Sequence, residues 1–117
     1  MTKIVINACF GGFTLSLEAT KWLAARGNKE AAAELADESR FYLYEGDPIP
    51  TFMGFRPEGL ARHDALLVEC VEALGEAASG DCAKLIVVTI SGNRYTIDEY
   101  DGAEDVVTPE SINWITV

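Results

Sequence analysis

Residues 3–16 read Lys-Ile-Val-Ile-Asn-Ala-Cys-Phe-Gly-Gly-Phe-Thr-Leu-Ser, and a strand, a bend and a helix start meet inside that stretch. Residues 3–8 form a β-branched run suited to a buried strand. Gly11 and Gly12 end it, because paired glycines reach backbone angles closed to other residues. Ser16 offers a helix N-cap, and Glu18 falls in the first turn, where a carboxylate meets the positive end of the helix dipole. Leu15, Ala19, Trp22 and Leu23 keep helical spacing as far as Gly27, a terminating glycine.

The pattern continues outward from there. Asn28 caps a second short helix through Ala31, Ala32, Ala33 and Leu35, ending near Glu38, and residues 40–44 alternate like a strand. Residues 45–62 are broken by Pro48, Pro50, Gly54, Pro57 and Gly59 but carry Ile49, Phe52, Met53 and Phe55. A loop that apolar folds back onto the core or onto a partner. A longer helix is expected over 64–78, with Leu67, Val71, Leu74 and Ala78 on one stripe, Cys70 beside it, and Gly80 as its end. Residues 85–90 are a near-continuous apolar strand, Ser91-Gly92-Asn93 reads as a hairpin turn, and 94–100 alternates as a returning strand. Asp101-Gly102 turns the chain again, and 112–117 reads as a last extended piece. The order β-α-α-β, loop, α-β-β-β predicts a single α+β domain over residues 1–117, with a mixed β-sheet and helices packed on one face.

The chain has 117 residues and 12.7 kDa, is 49% apolar, and has a mean hydropathy of +0.09. A domain of this size buries roughly 65% of its unfolded surface without a metal or disulfide. Nine basic residues against nineteen acidic give a net charge of −10. That balance argues against gripping a nucleic-acid duplex by its phosphates or lying on an anionic membrane. Residues 1–62 hold eight acidic and seven basic side chains, whereas 63–117 hold eleven acidic and two basic. An anionic ligand therefore has a place only in the first half. The opening residues lack the apolar run of a signal peptide, and no stretch approaches the roughly 20 apolar residues of a membrane span. Cys9, Cys70 and Cys82 are odd in number and far apart, and His63 is the one histidine, which disfavours a zinc site. These features predict a cytoplasmic protein with reduced thiols, no metal and no cofactor.

Four features carry possible chemistry. The bend at Cys9, Phe10, Gly11, Gly12 and Phe13 lies between a strand end and a helix start, where free backbone amides can face an anion and the two Phe rings can flank a flat ring. It matches neither common phosphate-loop pattern, and a tight turn with both rings in the core is the plainer reading. Cys9 stands where a thiol nucleophile can be activated, but nothing in the spacing brings His63 to it, and cysteine is commonly buried. Five carboxylates among residues 98–105 lack calcium-loop spacing and suit a solvated hairpin. Arg56 and Arg62 suit bidentate contact to a phosphate or carboxylate, or equally surface ion pairs, and Asp64 suits a helix N-cap.

Residues 4–16 resemble the opening of a family of small bacteriophage-encoded proteins. The likeness continues in Arg62-His63-Asp64, in residues 67–75, in 78–80 and 82–85, and in 95–102, and it covers more than half the chain in order. Members of that family often end in a basic stretch containing Trp, whereas residues 105–117 hold no Lys or Arg. The resemblance implies a phage or prophage source and a bacterial host, without an assigned activity. By analogy with small phage accessory proteins, it implies disarming of host defence, by sequestering a nucleotide signal or by blocking a host protein. The leading expectation is a non-catalytic binder of a small anionic, nucleotide-like ligand. Its candidate site is Asn7, Cys9, Phe10, Gly11, Gly12, Phe13, Ser16, Arg56, Arg62 and His63. A homo-oligomer is expected, with the apolar tail from Trp114 to Val117 inviting strand addition. The alternatives are an acidic protein–protein inhibitor of a host factor and a small Cys9-dependent hydrolase.

Overall fold

In the computed structural model, residues 1–43 and 45–111 are described; Tyr44 and the extended piece expected over 112–117 lie outside the described residues. The opening run forms β1 (Thr2–Asn7), whose Ile4, Val5 and Ile6 are all buried. Alternate side chains leave a strand on opposite faces, so this strand is covered on both. Helix α1 (Leu17–Ala25) begins at Ser16, whose Oγ accepts from the Ala19 amide at 3.1 Å. Helix α2 (Lys29–Ala36) begins at Asn28, whose Oδ1 accepts from the Ala31 amide at 2.8 Å.

The alternating segment at 40–44 yields only β2 (Phe41–Tyr42), paired with the equally short β3 (Thr51–Phe52). The apolar loop around them folds back in part. Phe55 is buried and exchanges backbone hydrogen bonds with Leu15 at 2.8 and 3.0 Å, while Ile49 and Met53 stay exposed. Helix α3 (Ala65–Leu74) is capped by Asp64, whose Oδ1 accepts from the Leu66 and Leu67 amides. It is shorter than its apolar stripe predicts. Gly75 adopts φ 59°, which ends the α-helix, and Gly75–Ala78 form a 3₁₀ turn well before Gly80.

The central pairing does not follow chain order. Strand β4 (Leu85–Ile90) pairs antiparallel with β1, Val5 opposite Val87, and β5 (Thr96–Tyr100) pairs with β6 (Ala103–Val107). Ser91-Gly92-Asn93 is therefore a connection between two ladders and not the hairpin turn its composition suggests. The architecture is α+β, built on three antiparallel two-stranded ladders. Val5 and Leu85 face a core of Phe13, Leu15, Leu23, Phe55, Leu67, Cys70 and Val71, with Val87 packed against it. Among the described residues no helix is long and apolar enough to cross a membrane.

Candidate functional site

Asn7, at the end of β1, organises the region that the opening sequence singles out. Its side chain is fully buried, and all of its hydrogen-bonding capacity is used. Nδ2 donates to the carbonyls of Cys9 at 2.6 Å and Gly102 at 2.8 Å. Oδ1 accepts from the amides of Lys84 at 2.8 Å and Cys9 at 3.3 Å. Its backbone amide donates to Glu104 Oε1 at 2.8 Å. One residue thus ties the first strand to the 82–84 segment and to the hairpin near the far end of the chain.

That hairpin occupies the diglycine bend. Asp101 and Gly102 have φ 50° and 89°, the paired positive values of a two-residue turn matched to the twist of its strands. The turn rests on Gly11 and Gly12, themselves at φ 120° and 99°. The Gly11 amide donates to the Asp101 carbonyl at 3.2 Å. A Cβ on Gly102 would strike the Gly11 amide nitrogen at 2.7 Å and the Gly12 nitrogen closer still. The glycines are needed because backbone meets backbone here, and the Gly11 donor expected to face a ligand is held by the protein's own carbonyl.

The two arginines have different fates. Arg62 forms a bidentate pair with Glu104, Nη1 to Oε1 at 2.6 Å and Nη2 to Oε2 at 2.8 Å. The side chains are 25% and 5% exposed. Its guanidinium also lies 3.7 Å from the centre of the buried Phe13 ring and donates to the Val5 carbonyl at 3.3 Å. Arg62 and Phe13 are therefore committed to the interior. Arg56 is exposed, is tethered by Nε to the Phe13 carbonyl at 3.0 Å, and keeps Nη2 beside Gly12.

The remaining candidates scatter. Ser16 lies at the α1 N-terminus, where its hydroxyl donates to the Ala77 carbonyl at 2.5 Å. His63 Nδ1 pairs with the Tyr95 hydroxyl at 2.7 Å and faces a cavity lined by Lys3, Glu69 and Glu72. Cys9 and Cys82 are exposed, and neither shares a hydrogen bond with His63 among the described residues. Cys70 is buried beneath α1, and that burial pushes its thiol up to about 11. Among the described residues no group of three or more His, Cys, Asp or Glu is placed to hold a metal ion.

What the fold brings together at the surface is Phe10, Arg56 and the hairpin tip. Phe10 is 59% exposed and Tyr100 79%, and the rings meet edge to face at 6.4 Å. Beside them Gly11, Gly12, Arg56, Glu99, Asp101 and Gly102 line a shallow depression of about 260 Å³. The hairpin also sets like charges directly opposite each other: Glu99 faces Glu104, and Asp98 faces Asp105. Arg62 neutralises Glu104, but Asp98 and Asp105 form no ion pair among the described residues. Sequence reasoning missed Tyr100 and Glu104 as partners of the bend; the Asp-Gly turn between them was the one local signal that a hairpin tip lies there. Comparison of the chain with protein-family models, with curated proteins and with solved structures finds no match.

Proposed function

We propose that this protein is a non-catalytic interaction module, and that the tip of the β5–β6 hairpin, with Phe10 beside it, is its docking surface for a basic patch on a partner protein. The observation that carries this reading is the exposed Phe10–Tyr100 pair set next to an unneutralised cross-strand acidic pair. Directly opposed like charges destabilise a hairpin by a few tenths of a kcal/mol to about 1 kcal/mol. Such a local conflict is expected where a surface serves recognition. A partner arginine or lysine laid between Asp98 and Asp105 relieves the repulsion, while the aromatic rings supply the anchor area typical of interface centres. An inhibitor of a host factor, as the resemblance to phage accessory proteins implies, needs nothing more.

The test pairs stability with binding. Asp98→Asn with Asp105→Asn should raise the melting temperature slightly while weakening capture of an arginine-rich probe peptide. Tyr100→Ala should weaken capture without the gain in stability. Wild-type capture that is insensitive to salt and unchanged by all three substitutions refutes the reading.

A second reading retains a small anionic, nucleotide-like ligand, and Arg56 is what favours it: a tethered guanidinium beside Gly12, next to an exposed aromatic ring. Thermal-shift titration with cyclic nucleotides, compared with Arg56→Ala, separates the two readings. A shift abolished by Arg56→Ala supports the ligand, and no shift leaves the docking surface.

A further inference from the structure

The two edges of the β1–β4 ladder are treated in opposite ways. On β1 the outward backbone groups belong to the odd-numbered residues, and they are closed at Val5 and at the Asn7 amide. The Val5 amide donates to the Arg62 carbonyl at 2.8 Å, the Val5 carbonyl accepts from the Arg62 guanidinium, and the Asn7 amide donates to Glu104. By the register, Ile4 faces Val88 and Ile6 faces Ile86, so the even residues of the two strands exchange the ladder bonds. The amides and carbonyls of Leu85, Val87 and Thr89 then point away from β1. Leu85 donates to Ser79 Oγ at 2.9 Å. The backbone groups of Val87 and Thr89 meet no partner among the described residues.

An open edge is normally blunted by a charge, a proline or a bulge. Strand β4 reads Leu-Ile-Val-Val-Thr-Ile and has none of these. We infer that this edge pairs with the same edge of a second copy of the chain, antiparallel about a twofold axis beside Val88. Val87 of one copy then faces Thr89 of the other, and each such pair exchanges two hydrogen bonds. On one face of the joined sheet, Val88 meets its own counterpart and Ile86 meets Ile90 of the second copy, forming an uncharged aliphatic ladder. Ile86 is 36% exposed in the single chain, with Val88 and Ile90 half-buried beside it. Charge favours this edge over the other: the acidic hairpin docks at the outer side of β1 through Glu104. The two hairpins of the pair therefore stand at opposite margins of a four-stranded sheet, where their repulsion is least.

Sedimentation across a concentration series reads the association, and a cysteine scan reads its register. The chain should approach twice 12.7 kDa as concentration rises. Thr89→Pro removes an outward amide while sparing every bond to β1, and should weaken dimerisation roughly tenfold or more. In a background of Cys9→Ser and Cys82→Ser, Val88→Cys should form a disulfide-linked dimer under mild oxidation, because directly opposed Cβ atoms lie about 4.5–5.5 Å apart. Thr89→Cys, which faces Val87 of the second copy, should not. The inference is overturned by a monomer at every concentration, by a dimer indifferent to Thr89→Pro, or by amide exchange showing Val87 and Thr89 protected in the dilute monomer. The last result would mean that the chain fills this edge itself.

Discussion

Replacing Asn7 with alanine tests whether the hairpin is seated by hydrogen bonding or only by packing. The substitution removes two donated and two accepted hydrogen bonds at once. The groups of Cys9 lie near the surface and can turn to water. The Gly102 carbonyl is buried and loses its partner outright, while the Lys84 amide is half-buried like the Cys9 groups. An enclosed polar group left unpaired costs about 1–3 kcal/mol. With one buried group unpaired and one half-buried group weakened, the loss should be about 3 kcal/mol, a large share of the roughly 5–15 kcal/mol that holds a domain of this size. Urea denaturation followed by tryptophan fluorescence measures it, with an unchanged m-value showing that the unfolded state is the same. Asn7→Asp is the sharper variant. It keeps the oxygen that accepts from Lys84 but turns a carboxylate oxygen toward two carbonyls, so it should cost at least as much at neutral pH. The deficit should shrink in acid, where the protonated carboxyl donates again. A loss for Asn7→Ala below about 1 kcal/mol would refute the reasoning.

Three further outcomes follow from the same geometry. Arg62→Met and Glu104→Gln should each cost about 2–3 kcal/mol, discounted for the part of Arg62 that reaches water, and the double variant should cost less than their sum; strict additivity in a double-mutant cycle would contradict a coupled pair. A thiol reagent at pH 8 should count the exposed Cys9 and Cys82 in the native protein and reach Cys70 only after denaturation. Cys70 also sets a pH dependence. Its thiol is raised from 9.0 to about 11 by burial, so above pH 9 the unfolded chain releases the proton first and stability falls until about pH 11. That fall, on the order of 2 kcal/mol, should be missing from Cys70→Ala, and parallel alkaline profiles for the two proteins would disprove it.

Local signals in the chain were legible where the physics is local. Ser16, Asn28 and Asp64 cap the helices they precede, and Asp101-Gly102 turns the hairpin it resembles. Ser91-Gly92-Asn93 has equally good turn chemistry, but β4 found its partner in β1, because a buried apolar strand gains more from pairing in the core than from the nearest neighbour. Phe13 and Arg62 were readable as ligand groups only while their partners were unknown. Glu104 lies 42 residues beyond Arg62, and no local pattern ties the two together. Asn7 could be read as a candidate ligand contact, but its role in seating the hairpin was hidden for the same reason: its contacts at 84, 102 and 104 lie far along the chain. The exposed pairing of Phe10 with Tyr100 likewise depends on the hairpin reaching back across most of the chain.

The seating of the hairpin on the diglycine bend has a consequence for the order of events during folding. The hydrogen bond from Asn7 to Gly102 closes a loop of 95 residues, and closing a loop of that size costs about 4 kcal/mol of chain entropy. As the protein is synthesised, β1 leaves the ribosome before the strands and side chains that complete it. It must wait for residues 85–90 before it has a strand to pair with, and for residue 104 before its outer edge is closed. The helices in between can form early, but none of them completes the interior. Folding is thereby deferred until residues 102–104 are available, slow for the number of residues involved and all-or-none when it comes.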